Sequence, residues 1–286
     1  MFSENLFLTN ETGKHLYNSY AKQLPIIDYH CHLLPQEIYE NKVFEDLGEM
    51  WLAHDHYKWR AMRTFGIDET YITGDASYYE KFLAFAKILP QLIGNPIYVW
   101  CALELKRYFD IDQPLCEANA QEIYRKTKEL IAQKQMTPRW CMEVSNVEVA
   151  STTEDPADSL EYHLKLKQDS SLKVRILSAY RPDKAFYCEK PAFQSYLPEL
   201  SKAAEMEIRS FADLMTALEK RLVFFKSIGT MISDNGIEDF TWEDFTPEQA
   251  ESIFAKAANG EPLSKQEIDR YKSACLVGMA RMYHKY

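Results

Sequence analysis

LPIIDYHCH, residues 24–32, decides the fold: a short apolar and β-branched run that ends abruptly in ionisable side chains. Three later stretches have the same form, VSNVEVASTTED (144–155), LKVRILSAYRPD (172–183) and GTMISDNG (229–236). Each reads as a strand. The segments between and after them carry helix-start signals. Ser210 opens SFADLMTALEKRLVFFKSIG with Asp213 three residues on, Thr246-Pro247 with Gln249 opens TPEQAESIFAKAANG, and Ser264 with Glu267 opens SKQEIDRYKSACLVGMARMYHKY. Strands alternating with helices predict a parallel α/β sheet, in which function gathers at the carboxyl ends of the strands. The polar clusters fall at those ends.

Between the first two strands, residues 34–140 are rich in aromatics and in helical patterns such as YYEKFLAFAKILPQLIG and EANAQEIYRKTKELIAQK. So long a stretch exceeds one crossover and reads as a helical insert within a single barrel-type domain spanning 1–286. A (β/α)8 barrel needs eight strands, and about four can be counted before the amphipathic helix that reaches Tyr286. The expectation is therefore an open sheet or a barrel incomplete at its carboxyl end.

Composition narrows the function. Of the 286 residues, 46% are hydrophobic and 27% charged, the balance of an ordinary globular chain. Its 33 basic against 43 acidic residues give a net charge of −10, which repels phosphate backbones and anionic lipid, so neither nucleic acid nor membrane is expected as a partner. The 9 glycines are too dispersed for GxGxxG or GxxxxGK, which excludes the Rossmann and P-loop phosphate cradles. The 6 cysteines are scattered without CxxC, and MFSENLFLTNETGKH has no basic region followed by an apolar one. A reduced, cytoplasmic setting is the expectation.

His30-Cys31-His32 is the sharpest chemical signal. In a strand, residues i and i+2 share a face, so both imidazoles can reach one divalent metal while Cys31 turns away. The alternative is a pair of half-buried histidines at a loop edge, and a catalytic zinc takes a third protein ligand from elsewhere. His54-Asp55-His56-Tyr57 reads as a capping or solvated cluster in the insert, or as hydrogen-bonding and acid–base groups. Arg181-Pro182-Asp183-Lys184 presents a guanidinium fork suited to a carboxylate, or an arginine paired with a nearby aspartate. Ser233-Asp234-Asn235-Gly236 offers a carboxylate as ligand or base, or an Asx turn with Gly236 at positive φ. Ser151–Pro156 reads as a helix start and loop. No GxSxG, HExxH or family-specific Cys/His signature is present, so covalent serine or cysteine catalysis has no support.

Six stretches together, PIIDYHCHLLPQEI (25–38), LGEMWLAHDHYKWRAMRTFGIDETYITG (47–74), IGNPIYVW (93–100), TTEDPADSLEYH (152–163), YRPDK (180–184) and SDNGIE (233–238), resemble the uronate (glucuronate) isomerase family of the amidohydrolase superfamily. The resemblance runs from about residue 5 onward and corresponds to the amino-terminal part of a longer family. It implies a (β/α)8 barrel with a helical insert after the first strand. The implied reaction interconverts D-glucuronate with D-fructuronate and D-galacturonate with D-tagaturonate through a cis-enediol. By the same resemblance His30 and His32 are metal ligands, His56 and Arg181 bind substrate, and Tyr57 and Asp234 act in catalysis. The metal implied is divalent, zinc first, with manganese, iron or cobalt as alternatives. Later family strands supply an acidic ligand and a second arginine. The chain departs from the family pattern at Asn235 and Val99, where relatives carry histidine. Rival readings are a metal-dependent hydrolase of the superfamily and a catalytically silent fragment, and an assembly of copies stays open.

Overall fold

The computed structural model describes residues 5–239 and 241–286. In chain order its elements are α1 (Glu11–Ser19), β1 (Ile26–Cys31), α2 (Pro35–Glu40), α3 (Leu47–Leu52), α4 (His56–Thr64), α5 (Tyr78–Ile88) and α6 (Pro96–Phe109). There follow α7 (Ala120–Lys134), α8 (Pro138–Val144), β2 (Val147–Glu154), α9 (Glu161–Gln168), β3 (Arg175–Tyr180) and α10 (Asp183–Phe186). The chain closes with α11 (Ala192–Ala204), α12 (Phe211–Ile228), β4 (Ile232–Ser233), α13 (Pro247–Ala258) and α14 (Lys265–Lys285).

The four strands form one sheet in the order β1-β2-β3-β4, every neighbouring pair parallel. A parallel sheet whose spatial order equals its chain order is the arrangement of a (β/α)8 barrel, here as a curled half-barrel. All four apolar runs are found as strands. Ser151–Pro156 is a correction: Ser151 to Glu154 are extended and pair with Leu177 to Tyr180, so the helix start expected there is absent. Adjacent β-branched threonines favour the pleat, and Thr152 is buried in it.

The chain divides into two compact units. One takes residues up to Leu24 with Asn41–Val144; it is helical and built on a core that includes Leu47, Trp51, Phe82, Phe85 and Phe109. The other takes Pro25–Glu40 and Ser145–Tyr286, and so contains the whole sheet. Although α2 falls inside the stretch 34–140, it belongs to the sheet unit, where Tyr39 meets Tyr162 of α9 at 5.9 Å. The Lys165 ammonium lies over both rings, at 5.5 and 4.4 Å.

Helices α11 to α14 bury Tyr180, Phe193, Tyr196, Phe225, Phe254 and Tyr271 in one cluster. Two of the phenols are satisfied inside it, Tyr180 donating to the Leu218 carbonyl at 2.8 Å and Tyr271 to that of Ala185 at 2.9 Å. The buried Arg221 donates to the carbonyls of Pro156, Asp158 and Ala203, which ties the loop after β2 to this core. All three expected helix starts are present. Ser210 accepts from the Asp213 N–H, and Thr246 with Gln249 and Ser264 with Glu267 close reciprocal capping boxes. Ser264→Ala leaves the first turn of α14 without its acceptor and is expected to lower stability by about 1 kcal/mol, read as the midpoint of urea unfolding. Among the described residues, no single helix is long and apolar enough to cross a membrane.

Candidate active site

Because the strands run the same way, their carboxyl ends share one rim of the sheet. Period two along β1 sends His30 and His32 to one face and Cys31 to the other. Cys31 is 8% exposed, and burial pushes its thiol up to about 11, far from the thiolate a metal would need. The two imidazoles meet: His30 Nε2 and His32 Nε2 are 2.8 Å apart.

Asp234, the residue after β4, is fixed by its N–H, which donates to the Tyr180 carbonyl at 3.0 Å. Its Oδ2 lies 2.8 Å from His30 Nδ1. With the carboxylate accepting from Nδ1–H, His30 Nε2 is the lone-pair nitrogen and accepts the Nε2–H of His32. This is the carboxylate–histidine arrangement that orients metal ligands. Two Zn–N bonds at the tetrahedral angle span about 3.3 Å, so an ion between the rings needs them to part by roughly half an ångström. Among the described residues no three His, Cys, Asp or Glu side chains gather as a metal site.

Arg181 follows β3 and is anchored by its N–H on the Glu154 carbonyl at 2.9 Å. Its Nε donates to Asp183 Oδ2 at 2.7 Å, and its Nη1 lies 3.5 Å from Asp234 Oδ2. The arginine is therefore paired within its own loop as well as facing the histidine–aspartate pair. Gly236 corrects a second expectation, since it has no positive φ. Its need is space: a Cβ there would sit 2.7 Å from Arg181 Nη2 and 2.8 Å from Asp183 Oδ2. Beside it, Asn235 Nδ2 is buried with no hydrogen-bond partner among the described residues.

His56 and Tyr57 lie in the helical unit, in the first turn of α4. Asp55 caps that helix, accepting from the N–H groups of Tyr57 at 2.9 Å and Lys58 at 3.1 Å and from Lys58 Nζ at 2.6 Å. The histidine and tyrosine rings stack at 4.3 Å. The structure thus gathers His30, His32, Arg181 and Asp234 at the strand ends, and places His56 beside Tyr57 on a capped helix.

A third group escaped the residue-by-residue reading. At the end of β2 the Thr152 hydroxyl lies 2.7 Å from Glu154 Oε1 and 2.8 Å from His163 Nε2 of α9. Burial raises the Glu154 carboxyl to about 7 and lowers the His163 imidazole to about 4. Both groups are neutral at mildly acid pH. The only sequence signal was Thr-x-Glu, two side chains on one face of a strand.

A family model described as glucuronate isomerase matches residues 1–286. The chain is 45% identical over 280 residues to the uronate isomerase of Caldanaerobacter subterraneus, covering 98% of this chain and 60% of that protein. It is 46% identical over 282 residues to that of Shouchella clausii, covering 99% and 60%. The crystal structure of Thermotoga maritima uronate isomerase superposes with a TM-score of 0.89 at 36% identity, covering all of this chain and 62% of that one. Glucuronate isomerase from Caulobacter crescentus, 24% identical with a TM-score of 0.87, shares the fold. The chain spans about three fifths of the length of the curated relatives it matches.

Proposed function

The chain belongs to the glucuronate isomerase family, and on that premise we propose that it carries the strand-end machinery of an aldose–ketose isomerase acting on D-glucuronate and D-galacturonate. The observation that carries this reading is the convergence of His30 and His32 Nε2 with Asp234 behind one ring and Arg181 beside it. His30 and His32 would hold a divalent metal, zinc first and manganese, iron or cobalt after it; when bound, it supplies polarisation of the sugar's carbonyl and hydroxyl oxygens.

The remaining demands fall on side chains. Isomerisation moves a proton from C2 to C1 through a cis-enediol, which needs a base and its conjugate acid at adjacent carbons. Asp234 uses Oδ2 for both His30 and Arg181, so Oδ1 is the oxygen assigned to proton transfer, while a catalytic role for Tyr57 rests on the family likeness. Arg181 receives the C6 carboxylate. Its 3.5 Å contact with Asp234 is long enough to yield to a substrate carboxylate, while the 2.7 Å bond to Asp183 stays. A substrate-binding role for His56 likewise rests on the family likeness. Six free cysteines fit a reducing, cytoplasmic setting.

Proton NMR of the protein with D-glucuronate in D2O and added Zn2+ or Mn2+ tests the proposal. Loss of the C2 proton signal with growth of the ketose is the expected result. Release of product from an ester, amide or lactone without C2 exchange would replace the isomerase by a hydrolase. Neither activity would leave a silent sugar-acid-binding chain.

A further inference from the structure

The loops after β3 and β4 are held together by side chains that the isomerase reading leaves without a task. Asp183 divides its two oxygens between them: Oδ2 takes Arg181 Nε at 2.7 Å, and Oδ1 takes the Gly236 N–H at 2.8 Å. The Tyr187 hydroxyl closes the same seam, donating to the Gly236 carbonyl and accepting the Glu238 N–H at 3.0 Å. Gly236 is pressed so near the guanidinium that a single added carbon would sit 2.7 Å from Nη2. The guanidinium thus has the Asp183 carboxylate on its Nε edge and the Gly236 backbone against Nη2, and its plane is set by the two together.

We propose that Asp183 is a positioning residue, which locks Arg181 to the β4 loop and so fixes where a substrate carboxylate can dock. The inference rests on Arg181 as the uronate anchor. An arginine with four rotatable side-chain bonds has many poses, and a clamp on Nε leaves it one, so the ordering is done before substrate arrives. A neutral amide in place of the carboxylate turns an NH2 toward either Arg181 Nε or the Gly236 N–H, so one donor loses its acceptor.

The test uses the whole chain loaded with Zn2+, in wild type, Asp183→Asn and Gly236→Ala. The two substitutions disturb the same Arg181–Asp183 junction in different ways, one by removing an acceptor and one by crowding Nη2 and Oδ2, and the backbone at Gly236 tolerates alanine because its φ is not positive. Both are expected to raise KM for D-glucuronate by about tenfold or more with a smaller change in kcat. In Asp183→Asn the 1H–15N signals of Arg181 Nε–H and the Gly236 amide should shift and exchange faster. Lys190→Met, which removes the outer ion pair to Glu238 and the ammonium over the Tyr187 ring while leaving Asp183 and Gly236 untouched, is the control for general loosening of the loop. Unmoved Arg181 and Gly236 signals in Asp183→Asn overturn the clamp. Moved signals with an unchanged KM overturn its role in docking. Wild-type protein that neither binds nor converts glucuronate counts against the isomerase reading instead, and the two NMR signals then decide the clamp alone.

Discussion

Replacing His30 with alanine is expected to lower the chain's affinity for Zn2+ by more than about 100-fold, read by competition with a chromophoric chelator. His32→Ala should do the same, since each removes one of two convergent Nε2 donors that lie 2.8 Å apart. Asp234→Asn should fall between these variants and wild type. Asparagine can still accept the Nδ1 proton of His30 through its carbonyl, but a neutral partner makes the imidazole a poorer base, and loss of such an outer partner weakens a metal site by about 10–100-fold. The ordering wild type, Asp234→Asn, His30→Ala separates a metal site from two histidines that merely touch. Metal content unchanged in His30→Ala would refute the ligand assignment. Cys31→Ser, at the position between the ligands, should leave Zn2+ uptake unaltered, because that buried thiol faces away and is protonated.

What was legible in the sequence was what is local. Alternation along LPIIDYHCH placed His30 and His32 on one face, and cap residues at Ser210, Thr246 and Ser264 marked helix starts to the residue. Contacts across strands were not legible, because they depend on which strand lies beside which. The order β1-β2-β3-β4 gives Asp234 its place on Tyr180 and brings it to His30, three strands away in the sheet and about two hundred residues away in the chain. Gly236 invited a backbone reading as a turn glycine, whereas its hydrogen side chain serves the guanidinium and carboxylate packed against it. Thr152 and Thr153 looked like loop residues by polarity, yet their branched Cβ atoms suit a buried strand. The same misreading hid Glu154, whose environment only the neighbouring helix α9 could supply.

Glu154→Gln is expected to stabilise the chain progressively as pH rises from 4.5 through 7, with the advantage levelling off above neutral pH. In the folded chain burial lifts the Glu154 carboxyl from an ordinary 4.5 to about 7, with its side chain only 14% exposed. Between those values the folded chain binds more protons than the unfolded one, so this group's contribution to stability is full below pH 4.5 and is lost as pH rises through 7. A shift of that size corresponds to about 3 kcal/mol. His163 works in the opposite sense: burial lowers it from 6.5 to about 4, so its contribution is intact above pH 6.5 and is lost as pH falls through 4. In the wild type the two slopes oppose each other between pH 4.5 and 6.5. Removing either group uncovers the other. Urea unfolding from pH 4 to 8 should therefore give a Glu154→Gln advantage near zero at pH 4.5 that climbs toward about 3 kcal/mol by pH 8. His163→Gln should gain a similar advantage over wild type on going from pH 6.5 down to 4. A constant difference across the pH range in either variant would show that its group titrates as it does in water. The consequence reaches the rim of the sheet, because the Glu154 carbonyl accepts the N–H of Arg181 at 2.9 Å. Ionising the carboxyl places a buried charge at the residue whose carbonyl anchors Arg181, so the rim should loosen first where β2 ends.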